Sequence, residues 1–179
     1  GHYRYLICLV VSAAFFLSIF HRFAPAAIAI DLLNSFDASA AFLGILGSAY
    51  FYPYAFMQLP SGILADSWGP RKSISFFLII AALGSILMGL SPNIGIAILG
   101  RVLVGLGVST LFVCNFKLLT EWFNPREFAI LGGFLMTVAG LGSFASSVPL
   151  AWLSGLIGWR MTLIMVGFVT FGIVALLYL

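Results

Sequence analysis

Few side chains in this sequence can do chemistry, and nearly everything around them is apolar. His21-Arg22 lies just past the middle of a hydrophobic stretch that begins at Leu6, about 24 Å along a helix axis at 1.5 Å per residue. An arginine at that depth costs at least about 2.5 to 3.5 kcal/mol to place in hydrocarbon, so it must face a polar cavity or a partner group rather than lipid. Ser18, Ala26 and Ala29 share its helical face and leave room there, while Pro25 loosens the helix and frees a backbone carbonyl. Arg22 therefore reads either as the contact for a substrate anion or as a structural pairing to carbonyls or a carboxylate. His21 reads as a packed, neutral imidazole or as a proton sensor. Tyr50 and Tyr54 are four apart and share one face that Gln58 continues. That arrangement fits a cavity wall, or ordinary packing with hydrogen-bonded hydroxyls. Asn115, fourteen residues after Arg101 and so on nearly the same face, can reach into a cavity or make an interhelical hydrogen bond. Asp31 is the nearest candidate proton carrier, or simply a polar helix terminus.

Other chemistries lack their parts. No nucleophile has an adjacent base, no carboxylates are paired, and no cluster has metal-ligand spacing, so neither an enzyme nor a metal nor a cofactor is expected. Cys8 and Cys114 sit inside apolar runs at no paired spacing and read as core. The eight basic residues give a net charge of +3 and a pI near 9.1, but they are scattered among helix ends without a patch or arm, which argues against nucleic acid.

The elements that must position these residues are membrane helices. With 63% apolar and 7% charged residues and a mean hydropathy of +1.18, the 179-residue chain is far from a soluble domain, about a quarter of which is charged. Stretches of about 20 apolar residues span a bilayer core, and six meet or approach that length: residues 6–33, 38–63, 73–90, 94–119, 128–157 and 161–179. Asn34-Ser35-Phe36-Asp37 and Ser91-Pro92-Asn93 supply turns between spans. Asn124-Pro125-Arg126-Glu127 starts the fifth span with a cap residue, a proline at the first helical position and an acid. Arg4, Arg71, Lys72, Lys117 and Arg126 fall on one side and Arg160, with Arg101, on the other. The basic-rich side is expected to be cytoplasmic, with both termini inside. Ser61-Gly62 then Gly69-Pro70-Arg71 is echoed by Ser154-Gly155 then Gly158-Trp159-Arg160. The echo divides the chain into a three-helix repeat over 1–90 and an inverted three-helix repeat over 91–179. Gly1-His2 without an initiator methionine reads as a processed or tagged end, no separate signal peptide is evident, and the stop inside an apolar run at Leu179 reads as a cut.

The run from Gly62 to Lys72 follows G-x-L-x-D-x-x-G-x-R-K through Gly62, Leu64, Asp66, Gly69, Arg71 and Lys72. It resembles the loop between the second and third transmembrane helices of the major facilitator superfamily of secondary transporters. The resemblance implies an all-α integral membrane fold, here a six-transmembrane-helix bundle making up the amino-terminal half of a twelve-helix transporter. It also implies that the run is a conformational latch, with Gly62, Asp66, Gly69, Arg71 and Lys72 as its members and Arg71 as the basic partner of Asp66. Ser67 stands where the family often has a basic residue. Arg101-Val102-Leu103-Val104-Gly105-Leu106-Gly107 is similar to the family's R-x-x-x-G-x-G pattern, whose arginine serves coupling or packing. Gly133 and Gly142 match the first spacing of the antiporter pattern in the fifth helix, but Ser146-Ser147 replace its Gly-Pro, against a drug/proton antiporter. The expected function is alternating-access transport of a small organic solute, anionic or zwitterionic, bound at Arg22, Tyr50, Tyr54 and Asn115. A neutral-sugar or drug carrier is the alternative within transport, and a receptor-like or assembly module the alternative outside it. Expected partners are the lipid bilayer of a plasma or bacterial inner membrane, the solute, and either a carboxyl-terminal six-helix half or a second copy.

Overall fold

The computed structural model describes residues 2–179, and the described residues form nine α-helices. These are α1 (His2–Ala27), α2 (Ala29–Phe36), α3 (Ala41–Ser67), α4 (Pro70–Leu90), α5 (Ile94–Val108), α6 (Leu111–Trp122), α7 (Pro125–Ala145), α8 (Val148–Ile157) and α9 (Trp159–Tyr178). By length and hydropathy α1, α4, the α5–α6 pair, α7 and α9 can each cross a bilayer; a sixth crossing comes from α2 with α3, which are bent by 114°. The six-helix membrane bundle read from the sequence is thus present, but three of its six stretches are interrupted.

Each interruption has a local chemical cause. The first stretch breaks at Ile28, just past Pro25, and its second piece runs on through Phe36 to a C-cap at Asp37, whose φ of 48° is left-handed. Aspartate tolerates that conformation better than most residues. At Ser109-Thr110 the Ser109 hydroxyl donates to the Leu106 carbonyl (2.6 Å), while the Gln58 amide donates to the Ser109 carbonyl (2.9 Å). Side chains there take over the role of the helix ladder. The third break, at Ser146-Ser147, precedes Pro149, which has no amide to offer the turn before it. The caps at Asn93 and Asn124 behave as the sequence implies: Asn93 accepts from the Ile96 amide, and Asn124 with Glu127 closes a reciprocal capping box behind Pro125.

The run from Gly62 is less of a turn than its glycines suggest. α3 continues through Ser67, and only Trp68-Gly69 leaves the helix. Gly69 has a φ of +84°, which a side chain would strain, whereas Gly62 is helical and a Cβ there would meet nothing within 4 Å. The need for glycine therefore lies at Gly69 alone. Its counterpart Gly158, N-cap of α9, has nearly the same backbone angles, φ 86° and ψ 152° against 84° and 152°.

α4 is the hub, packing most extensively against α5 and α9. Close approach of α4 to α5 depends on missing side chains: a Cβ on Gly84 would lie 2.7 Å from the Gly100 carbonyl oxygen and 2.8 Å from the Val104 nitrogen. α4 and α9 lie antiparallel and cap each other. Arg71, in the first turn of α4, donates to the Leu177 carbonyl at the end of α9, and Arg160, in the first turn of α9, donates to the Gly89 (3.4 Å) and Ser91 (2.5 Å) carbonyls at the end of α4. Cations at these carbonyl ends satisfy orphan acceptors and oppose the helix dipole. Hydrogen bonds gather Tyr3, Arg4, Asp66, Arg71, Lys117 and Glu127 at one end of the bundle. Ser35, Ser91, Trp159 and Arg160 meet at the other.

Candidate functional site

The site grows from one proline. Pro25 lacks the amide that would bond the carbonyl four residues back, so the His21 carbonyl is left without its helical donor inside an apolar bundle. Arg101 of α5 takes that place. Its Nη1 donates to the His21 carbonyl (2.6 Å) and its Nη2 to the Arg22 carbonyl (2.8 Å), while its guanidinium lies 4.3 Å from the Tyr50 ring centroid. Arg101 is 4% exposed, and its Nε has no partner. In this geometry it ties α5 to two carbonyls of α1 just before the break at Ile28.

Arg22 is placed differently. It is half-buried, its Nε donates to the Tyr50 hydroxyl at 3.4 Å, and its guanidinium sits 4.8 Å from the Tyr54 ring centroid and 5.9 Å from that of Phe51. Tyr50 and Tyr54, one turn apart on α3, stack at 5.7 Å with 14° between their planes. Among the described residues no protein acceptor meets its Nη1 or Nη2. It lines a cavity of about 370 Å³ with Pro25, Ala29, Gly47, Phe51 and Arg101. None of the five acids pairs with Arg22 or Arg101; the ion pairs of the described residues use Arg4 and Lys117. Two guanidinium groups thus flank one tyrosine inside the bundle without a counter-ion, and one of them presents free donors to open space.

The other expected site residues lie elsewhere. His21, 2% exposed, approaches the Thr170 hydroxyl at 3.1 Å, and that hydroxyl gives its proton to the Val166 carbonyl. Nε2 of His21 is therefore the donor, in a contact between α1 and α9. Asn115 is fully buried, its amide nitrogen and oxygen are both without partners, and it does not line the Arg22 cavity. Asp31 is exposed at the start of α2 and accepts from the Ser154 hydroxyl at 3.3 Å. Cys8 and Cys114 are buried and free.

At the Asp66 end the pairing differs from the one expected. Asp66 meets Lys117 of α6, which also lies 3.4 Å from Glu121 one turn on. Arg71 is committed to the Leu177 carbonyl and the Tyr3 hydroxyl (2.8 Å). Arg71 sits in the first turn of α4, where the antiparallel α9 brings its own carbonyl end, so the guanidinium is taken up there. Lys72 is exposed. Sequence reasoning does not single out Phe51, whose ring closes the cavity beside Arg22 and packs edge-on to Tyr50 at 5.1 Å. Its place next to Tyr50 in an aromatic run is the available signal.

The comparisons agree on the family. The family model described as Major Facilitator Superfamily matches residues 9–179. The Probable sulfoacetate transporter SauU of Cupriavidus necator is 26% identical over 94% of this chain and 39% of its own length. The Nitrate/nitrite transporter NrtP of Nostoc punctiforme is 29% identical over 93% of this chain and 35% of its own. This chain thus spans well under half the length of such relatives. Its fold superposes on a bacterial homologue of the human lysosomal transporter Spinster in its inward-facing, occupied conformation, with a TM-score of 0.86, 23% identity, and coverage of 99% of this chain and 44% of that one. An all-helical bundle of bilayer-crossing elements, matched over nearly its whole length by that family model, belongs to the Major Facilitator Superfamily.

Proposed function

We propose that this chain forms one wall of a secondary carrier for small organic anions, with Arg22 as the group that holds the anion. The observation that carries the reading is the uncompensated pair Arg22 and Arg101 around Tyr50. Arg101 is spent on the carbonyls of the α1 kink, whereas Arg22 keeps Nη1 and Nη2 for a ligand in the 370 Å³ cavity. A planar fork with free donors in a low-dielectric cavity favours a carboxylate or sulfonate over a neutral solute. The names of the relatives point the same way, since sulfoacetate and nitrate are both anions. Phe51 walls the cavity, while Tyr50 and Tyr54 meet the Arg22 guanidinium without lining the cavity themselves.

In this reading the solute sits between this six-helix unit and a second one and is released by alternating access. Two inverted three-helix units, 1–90 and 91–179, account for the matching Gly69 and Gly158 turns and the reciprocal Arg71 and Arg160 caps. The end carrying Arg4, Arg71, Lys72, Lys117 and Arg126 is the cytoplasmic one. Asp66 is the latch acid, held by Lys117 in the conformation described and free to exchange partners as the units rock. The test is uptake of labelled sulfoacetate and nitrate into vesicles carrying the intact protein. Uptake of at least one of them should be lost in Arg22→Ala and little restored in Arg22→Lys. Normal uptake by Arg22→Ala, or uptake of a neutral sugar in place of either anion, would refute the reading.

A further inference from the structure

Three helices meet on Tyr50, a fully buried residue of α3. On its backbone side α5 comes close: a Cβ on Gly105 would lie 2.9 Å from the Tyr50 Cα. One turn earlier on α5, the Arg101 guanidinium lies 4.3 Å from the Tyr50 ring centroid, and the His21 and Arg22 carbonyls of α1 hold that guanidinium in turn. The Phe51 and Tyr54 rings pack on the Tyr50 ring at 5.1 and 5.7 Å. A ring gripped from its backbone, its face and its neighbours has little rotamer freedom left. The hydroxyl it carries is therefore a fixed point.

That hydroxyl meets one group, Nε of Arg22, at 3.4 Å. Tyr50 does not line the Arg22 cavity, whose walls include Pro25, Ala29, Gly47 and Phe51, so it acts on the solute space only through Arg22. A guanidinium offers a flat anion two docking edges with paired N–H groups: an end edge of Nη1 with Nη2, and a side edge of Nη2 with Nε. Tyr50 takes up the side edge. The Tyr54 ring, 4.8 Å from the guanidinium carbon, packs against the same group. The end edge, which meets no protein acceptor among the described residues, is what remains for a ligand. An arginine without such a tether has many rotamers, and the ligand that binds it must immobilise it. Here the immobilisation is done by the protein.

We propose that Tyr50 is the positioning residue of the anion site, its hydroxyl holding Nε of Arg22 so that the end edge of the fork faces the cavity before the anion arrives. The inference rests on the anion-carrier reading and adds to it the residue that orients its arginine. The test is equilibrium binding of nitrate and of sulfoacetate to the intact protein, together with the 15N-detected Nε–H signal of Arg22, assigned by its loss in Arg22→Ala. Tyr50→Phe removes the hydroxyl and keeps the ring against Arg101 and Gly105. It should weaken whichever of the two anions binds by about threefold to tenfold. In the anion-free protein the Arg22 Nε–H should exchange slowly with solvent, and in anion-free Tyr50→Phe at least about tenfold faster. A hydroxyl that only completed the packing would leave that exchange rate where it was. Unchanged affinity in Tyr50→Phe, an exchange rate that is the same with and without the hydroxyl, or a Tyr50→Phe protein that no longer folds overturns the positioning role and leaves the anion reading standing. Failure of both anions to bind, or their indifference to Arg22→Ala, overturns the anion reading and the positioning role with it.

Discussion

Arg101 and Pro25 should be energetically coupled, and a double-mutant cycle can measure the coupling. In Arg101→Leu the His21 and Arg22 carbonyls lose donors at 2.6 and 2.8 Å. Hydrogen bonds to a charged group contribute about 1.5 to 3 kcal/mol each, so the two together amount to about 3 to 6 kcal/mol. Removing a guanidinium from membrane depth returns about 3 kcal/mol on insertion scales. The expected net loss is therefore about 0 to 3 kcal/mol. In a Pro25→Ala background position 25 regains an amide, which can bond the His21 carbonyl directly. One of the two lost contacts is then replaced, and Arg101→Leu should become about neutral or slightly stabilising, a coupling of about 2 kcal/mol. Reversible unfolding of the four proteins in mixed micelles reads these differences as midpoint shifts. If Arg101→Leu costs the same with proline or alanine at position 25, then Arg101 does not stand in for the amide that Pro25 lacks.

Three further outcomes follow from the same geometry. Gly84→Ala should destabilise by about 1 to 3 kcal/mol, because its Cβ would press on the Gly100 and Val104 backbone, whereas Gly44→Ala, with nothing within 4 Å, should leave the thermal midpoint unchanged or slightly raised. Asp66→Asn should change stability by less than about 1 kcal/mol, since the Asp66 side chain is 72% exposed, yet slow transport; unchanged transport with unchanged accessibility of the two faces would dismiss the latch role. Arg160→Ala should lower the unfolding midpoint through loss of the α4 end cap, and an unchanged midpoint would show that the reciprocal caps contribute nothing.

What could be read from sequence was local. The four-residue spacing of Tyr50 and Tyr54 and the cap at Asn124 are properties of a few neighbouring residues, and each takes the expected geometry. The partners of Asp66 and Arg101 were not legible. Lys117 lies 51 positions from Asp66, and the His21 carbonyl 80 positions from Arg101; which basic group meets which acceptor is decided by how helices cross, not by spacing along them. Asn115 shows the same limit, because periodicity put it on the face of Arg101 while packing buried it away from the cavity. The break at Ser146-Ser147 was within reach, since Pro149 must cost a helical bond, but an unbroken hydropathy profile hid it.

The most direct test of the carrier reading uses Ala26, which lines the Arg22 cavity. Cysteine is close to alanine in size, and the native Cys8 and Cys114 are buried, so a membrane-impermeant thiol reagent should report on Ala26→Cys with little background. Applied to sealed vesicles carrying the intact protein, the reagent should label this position from either side in turn, and a transported anion should slow the labelling from both. Labelling from one side only, or from neither, with no response to any anion, would contradict the claim that Arg22 faces an alternately opened solute cavity.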